Sequence, residues 1–221
     1  MWKRATGLCL VCVLWSVTPT SAQKAEVYGL FAWTISDGVE SDQSVLAGDG
    51  NIYDGVGTKD SASWGLGGGF HVNDRVEVGF LFMQQMTTLE ITGTNTLEVG
   101  DLSVNTYHPY VAFNFGDIDA RARPYVLIGL GATNFGSVDF TALGAARQTQ
   151  SQTQFSTTWG AGIKMYLSPN VGIRAGLQWT PTYIKTDSEG WWCDPYWGCY
   201  VVGDPQYSNQ LHFAGGVTAR F

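Results

Sequence analysis

Apolar residues recur at every second position through stretches of about ten residues, and small or polar residues fill the positions between. Val27, Phe31, Trp33 and Ile35 share one face of the first stretch, with Glu26, Tyr28 and Thr34 on the other. Trp64, Leu66, Phe70 and Val72 stand opposite Ser63, Gly65, Gly67, Gly69 and His71, and Val76, Val78, Phe80 and Phe82 opposite Arg75, Glu77, Gly79 and Leu81. The rule returns at Phe155 to Leu167, at Val171 to Thr180 and at Leu211 to Phe221. A period of two is the signature of a β-strand with two unlike faces. About ten residues is also the length a tilted strand needs to cross a bilayer.

Two further stretches complete a set of eight. In residues 125–132, Val126, Ile128, Leu130 and Ala132 are placed outward, although Tyr125 and Leu127 on the opposite face are also apolar. The stretch Leu102 to Phe115 changes face near His108-Pro109, which predicts a bulge or a proline at a ladder edge there. The connections are sorted by length. Asn73-Asp74, Gly116 to Ala122 and Ser168-Pro169-Asn170 are short, whereas 36–61, 87–100, 136–153 and 184–208 are long and rich in Gly, Ser, Thr, Asn and Asp. Short turns at one end and long loops at the other are the pattern of an up-and-down membrane barrel. No stretch after the first residues approaches 18 consecutive apolar positions, so helices cannot do the crossing. Only a closed ring of strands then pairs every backbone group in lipid. Outward Trp33, Trp64, Trp159, Trp179 and Tyr183 are expected near strand ends, as an interfacial girdle.

Composition agrees. Only 14% of the 221 residues are charged and 28 are glycine, against about 25% charged in soluble domains. A net charge of −7 excludes a nucleic-acid partner, because phosphate binding needs a basic patch.

Residues 1–22 read as a cleaved secretory leader: Lys3 and Arg4, an apolar run from Gly7 to Val17, then Thr18-Pro19-Thr20-Ser21-Ala22 before the cut. Cys9 and Cys12 leave with it. Residues 23–221 form the barrel domain and keep Cys193 and Cys199, six positions apart in an exported chain, which predicts a disulfide. Zinc would need partner ligands that the surrounding Trp-Cys-Asp-Pro-Tyr-Trp-Gly-Cys segment does not offer.

Eight strands enclose a space just wide enough for side chains. The inward set includes Glu26, Arg75, Glu77, Lys164, Arg174 and Arg220, all toward the end that carries the short turns. Charges in so dry a space must pair, so they are expected to form a salt-bridge plug, structural in role or acting as a gate that swaps partners. Inward glycines leave room that Tyr28, Tyr125 and Tyr166 fill or that shapes a small cavity.

The last strand, with Leu211, Phe213, Val217, Ala219 and a terminal Phe221 on one face, resembles the assembly signal of Gram-negative outer-membrane proteins. The whole of 23–221 is similar to the small eight-stranded barrels of the OmpA, OmpX and OmpW type. That resemblance implies an all-β, antiparallel up-and-down barrel in the outer membrane, in contact with lipid and lipopolysaccharide. It also implies reading by the barrel-assembly machinery after periplasmic chaperones. OmpA-like proteins add a peptidoglycan-binding domain after the barrel, and this sequence ends at Phe221, so no tether to the cell wall is expected.

Catalysis finds no support. Lipid deacylases of this architecture place a His and a Ser two apart on one strand. Here Asn73, Tyr110 and Ala214 follow His71, His108 and His212 at that spacing. The run Gly65-Leu66-Gly67-Gly68-Gly69 lies inside a strand rather than at a strand-to-helix turn, which excludes a dinucleotide site. Asp37, Glu40, Asp42, Asp49, Asp54 and Asp60 in the first long loop do not follow a calcium-loop spacing. They are expected to be solvated or to bridge lipopolysaccharide phosphates through divalent cations. The expectation is a monomeric barrel without cofactor, metal or enzymatic activity, serving a structural or surface-interaction role. The alternative is a narrow channel or OmpW-like transporter of small solutes.

Overall fold

The computed structural model describes residues 25–46, 51–142, 145–184, 193–194, 198–199 and 206–221. The expected leader, residues 1–22, and the side chains of Cys193 and Cys199 lie outside the described residues. Eight long strands form the wall: β1 (Ala25–Ser36), β4 (Ser61–His71), β5 (Val76–Gly93), β6 (Leu97–Asn114), β7 (Ala122–Phe135), β10 (Gln152–Tyr166), β11 (Val171–Ile184) and β14 (Gln206–Arg220). Each pairs antiparallel with its neighbour in that order. Pairing of β1 with β14, from Glu26↔Arg220 to Ser36↔Gln210, closes the ring. No helix of the described residues is long and apolar enough to cross a membrane.

The alternation becomes geometry along the wall strands. Phe31, Leu66, Phe80, Leu130, Phe155, Leu177 and Val217 are exposed on the outer wall, while Glu26, Tyr28, Glu77, Leu81, Lys164 and Arg174 are buried inside. In water that outer wall would be an apolar patch far beyond what a soluble monomer shows. In lipid it is the solvent-facing surface. The short turns are set by side chains. Asn73 Oδ1 accepts the backbone N–H groups of Arg75 and Val76, Ser168 Oγ accepts that of Val171, and Gly116 takes the left-handed φ of +89° that ends β6.

Three expectations change. The segment 87–100 is not a loop: β5 and β6 each run 18 residues, and they pair through Ile91↔Leu97 with a shift between Leu89 and Glu90. Strands of that length exceed the about 9–11 residues needed to cross, so the hairpin projects beyond the membrane. There it pairs with β3 (Ile52–Thr58), which pairs in turn with β2 (Val39–Leu46). Second, β6 does not change face at His108-Pro109. Leu102, Val104, Thr106, His108, Tyr110, Ala112 and Asn114 are all buried inside in unbroken alternation. Proline 109, which has no N–H to give, sits where the β6–β7 ladder skips from Tyr107↔Ala132 to Tyr110↔Gly129. The apparent switch came from Leu102 and Val104, apolar residues that point inward where the outer mouth is apolar. Third, Trp159 and Trp179 pair in the middle of β10 and β11 rather than at their ends, because both strands continue past the membrane.

The remaining elements lie on the outer side. β8 (Asp139–Ala142) pairs with β9 (Ala145–Gln148), and β12 (Cys193–Asp194) with β13 (Gly198–Cys199), where Cys193 and Cys199 are direct cross-strand partners.

Candidate functional site

The lumen is the place to look for function, and it is filled in layers. At the periplasmic end, Lys164 on β10 reaches across to β1 and β5. Its Nζ donates to Glu77 Oε2 at 2.6 Å and to Glu26 Oε2 at 3.0 Å, with all three side chains fully buried. Glu26 also accepts from Tyr166 Oη at 2.9 Å and Thr218 Oγ1 at 2.8 Å, and Glu77 from Tyr110 Oη at 2.6 Å and Asn114 Nδ2 at 3.3 Å. Each carboxylate is thus matched by several donors, which offsets the cost of burying its charge. Arg174 lies between the rings of Tyr28 and Tyr125, 4.0 and 4.3 Å from their centroids, and its Nε donates to Tyr125 Oη at 2.9 Å.

Glycines make this tyrosine layer possible. A Cβ on Gly79 would fall 2.6 Å from Tyr110, and one on Gly162 would fall 2.6 Å from Tyr125 Oη, while Gly67 faces the Tyr28 ring. The expected accommodation of Tyr28 and Tyr125 is thus realised on β4 and β10. Tyr166 lies against Gly172.

Two arginines clasp the periplasmic turns. Arg220 donates from Nε to Pro169 O at 2.5 Å and from Nη1 to Ile118 O at 2.6 Å, and its guanidinium lies 4.0 Å from the Tyr166 ring centroid. Arg123 donates from Nη2 to Asp74 O at 2.5 Å and from Nη1 to His71 Nε2 at 3.3 Å. All three short turns are therefore tied to side chains inside the ring.

Of the six charges expected here, Glu26, Glu77, Lys164 and Arg174 lie in one buried cluster of ion pairs, and Arg220 is buried beside it over the Tyr166 ring. Arg75 is not. It is exposed in the turn 72–75, where the chain has already left the strand and the period of two no longer assigns a face. Arg123 takes the sixth position. Its signal is in the sequence, two residues before inward Tyr125, at the point where the turn Gly116 to Ala122 gives way to the strand. Glu26, His71 and Glu77 offer ligand atoms within 4.8 Å of one another. Lys164 Nζ already occupies the cation position between the carboxylates, so this trio carries its own counterion.

Above the floor lies an apolar belt of Leu30, Ala32, Leu81, Met83 and Leu127. A polar layer follows: Thr34 Oγ1 contacts Ser63 Oγ at 2.7 Å and His212 Nδ1 at 2.8 Å, His108 Nε2 lies 2.9 Å from Ser156 Oγ, and Gln210 donates to Gln85 at 2.7 Å. The outer mouth is closed by a second apolar cluster in which Val39, Val56, Leu89, Leu102, Val104, Phe135, Val138 and Ile184 are all buried. Val138 comes from the segment after β7, held by the bond from Gly136 N to Ser103 O at 2.8 Å. Beyond the wall, Lys59 pairs with Glu98, whose carboxylate raises the lysine's pKa. The outward residues Leu211, Phe213, Val217 and Ala219 occupy the lipid face of β14, and Phe221 N donates to Ala25 O across the seam at 2.8 Å.

Comparison with known proteins places this architecture. The family described as outer membrane protein beta-barrel domain matches residues 8–221. The fold is similar to that of OprG from Pseudomonas aeruginosa, at a TM-score of 0.63 and 15% identity over 90% of this chain and 96% of that one. It is also similar to neisserial surface protein A, at 0.52 and 13% over 89% and 97%. No curated protein sequence matches. At these identities the likeness speaks for the fold, and the family match speaks for descent. The chain belongs to the outer membrane protein β-barrel domain family, a closed eight-stranded barrel of the Gram-negative outer membrane.

Proposed function

We propose that this protein is a non-conducting membrane anchor whose working surface is its projecting, β-rich outer end. The observation that carries the reading is the double closure of the lumen, by the ion-paired floor around Lys164 and by the apolar cluster around Val104 and Val138. A hydrated ion would have to strip its water to pass either barrier. The β2–β3–β5–β6 ribbon beyond the membrane gives the anchor a rigid presenting surface. Its contacts in this reading are lipid, lipopolysaccharide phosphates and other surfaces.

The same reading holds that the chain is monomeric and non-enzymatic. His108 and Ser156 are hydrogen-bonded but essentially inaccessible to substrate. Export would follow removal of residues 1–22, with chaperones and the assembly machinery recognising the Leu211–Phe221 face. The direct pairing of Cys193 with Cys199 supports a disulfide that pins the last outer loop.

A sideways transporter is the second reading, and one observation favours it. A groove of about 590 Å³ on the lipid face, between Phe113, Trp159, Trp179 and Leu211, shares Leu127, Leu177 and Gln178 with a cavity in the lumen. That cavity is about 10 Å³, far too small for an organic solute. Planar-bilayer recording decides between the readings: the purified protein should give silent membranes, and discrete openings or solute-dependent flux into liposomes would reject the closed anchor.

A further inference from the structure

The lipid-facing wall has a gap at Ala161. Ladder register lines up Ile128, Trp159 and Trp179 across β7, β10 and β11, and one step nearer the periplasm Val126, Ala161 and Leu177. Ala161 is exposed on the outward face, as are the larger Val126 and Leu177 on either side of it. Neighbouring strands lie about 4.8 Å apart, so the flanking backbones stand about 10 Å apart and their side chains leave about the width of one hydrocarbon chain. The result is the groove of about 590 Å³, a volume in the range of small-ligand sites, with no charged residue on its lining.

Its rim and floor are fixed. Trp159 Nε1 donates to Thr157 Oγ1 and Trp179 Nε1 to Asn209 Oδ1, each at 3.2 Å. Both acceptors lie one step nearer the outer end than the rings, so the polar edges of the indoles are engaged on the side away from Ala161. On the inner side Leu127 backs the floor so closely that a Cβ on Gly160 would fall 3.0 Å from its Cγ. The wall is therefore solid there, and what enters the groove stays on the lipid side. Gln178, the one amide among the lining residues, belongs to the inward set and is only 5% exposed. A polar ligand would lose its hydrogen bonds on entering such a space.

We propose that this groove is a binding site for a single acyl chain of a membrane lipid, which it holds while the lipid around the rest of the wall exchanges freely. The groove opens on the hydrocarbon side of an outer-membrane barrel, so acyl chains are the medium that surrounds it. No hydrophobic force drives the binding, because the bilayer is as apolar as the groove. The gain is dispersion: a chain in the gap touches Val126, Leu177 and Ala161 on three sides, against one side on the convex wall elsewhere, and an unfilled gap forfeits those contacts. A second barrel cannot supply them. Its own wall is convex and would rest on the ridges of Trp159, Val126 and Leu177 without reaching Ala161. The site does not depend on whether the lumen conducts.

The test uses the mature protein refolded into vesicles of palmitoyl-oleoyl-phosphatidylethanolamine and then transferred to detergent. Native mass spectrometry should find one phospholipid retained per barrel after detergent exchange has stripped the rest. Ala161→Phe fills the gap on a face turned to lipid, where no inner packing is disturbed, and should abolish the retention; the smaller Ala161→Leu should lose most of it. Leu66→Phe, on the opposite wall, should keep the lipid. Crystals grown with a phospholipid brominated along its chains should show anomalous peaks between Trp159 and Leu177. No retained lipid in the wild type, equal retention in Ala161→Phe and Leu66→Phe, bromine spread evenly around the wall, or a dimer that Ala161→Phe dissociates would overturn the proposal.

Discussion

The two ends of the lumen are closed by opposite physics. The periplasmic floor is a set of ionised groups with no water around them, stabilised only because Lys164, Glu26 and Glu77 are mutually satisfied. The outer cap is Val39, Leu89, Leu102, Val104, Phe135 and Val138 in van der Waals contact, with no directional requirement. The floor therefore fails abruptly when one partner is lost, because what remains is an unpaired charge. The cap fails gradually, in proportion to the volume removed. A gate that must respond to a chemical signal needs the first kind of closure; a seal that must survive sequence drift needs the second.

That contrast can be broken most severely at Lys164. Lys164→Met leaves two buried carboxylates facing each other without their cation, and the loss should be about 3–5 kcal/mol, read from the urea midpoint of the protein refolded into lipid vesicles. A wild-type midpoint would mean that the floor is wet. Next in size is the cap. Leu102→Ala should cost about 2–4 kcal/mol, and the same shift should appear at low and high salt, since no charge is involved.

The double variant Glu77→Gln/Lys164→Met sharpens the comparison. It removes one charge of each sign and leaves Glu26 within reach of Arg174, so it should be more stable than Lys164→Met alone, with a residual loss of about 1–2 kcal/mol. An additive double loss would show that the floor does not act as a unit. At the small end stands the exposed Lys59–Glu98 pair. Lys59→Ala should leave the midpoint unchanged within error, because exposed ion pairs are screened by water and salt.

How far the sequence carried the argument follows from the same two regions. Period two identified all eight wall strands and put Glu26, Glu77, Lys164, Arg174 and Arg220 inside, because lipid on one side forces the alternation. It failed where that force is absent. Beyond the membrane, β5 and β6 continue as a ribbon whose Glu90, Thr92, Glu98 and Asp101 look like loop composition. At the cap, Leu102 and Val104 are apolar yet inward, so apolar no longer meant lipid-facing. Arg75 and Arg123 were exchanged because parity counts residues and cannot say at which one the chain begins to turn. The layered contents of the lumen arise from strands far apart in sequence and are set by stagger, which no local pattern encodes.

The pairing of Glu26 with Lys164 joins groups 138 positions apart, and Thr218 reaches Glu26 across 192. Such contacts cannot form in a growing sheet with an open edge; they exist only once β14 has met β1. Insertion into the bilayer can thus proceed through most of the wall with the acids and bases of the interior still hydrated. Dehydration of these groups is then the final event of biogenesis, coupled to closure of the seam, and reversal of that step should be the slowest route back to an unfolded chain.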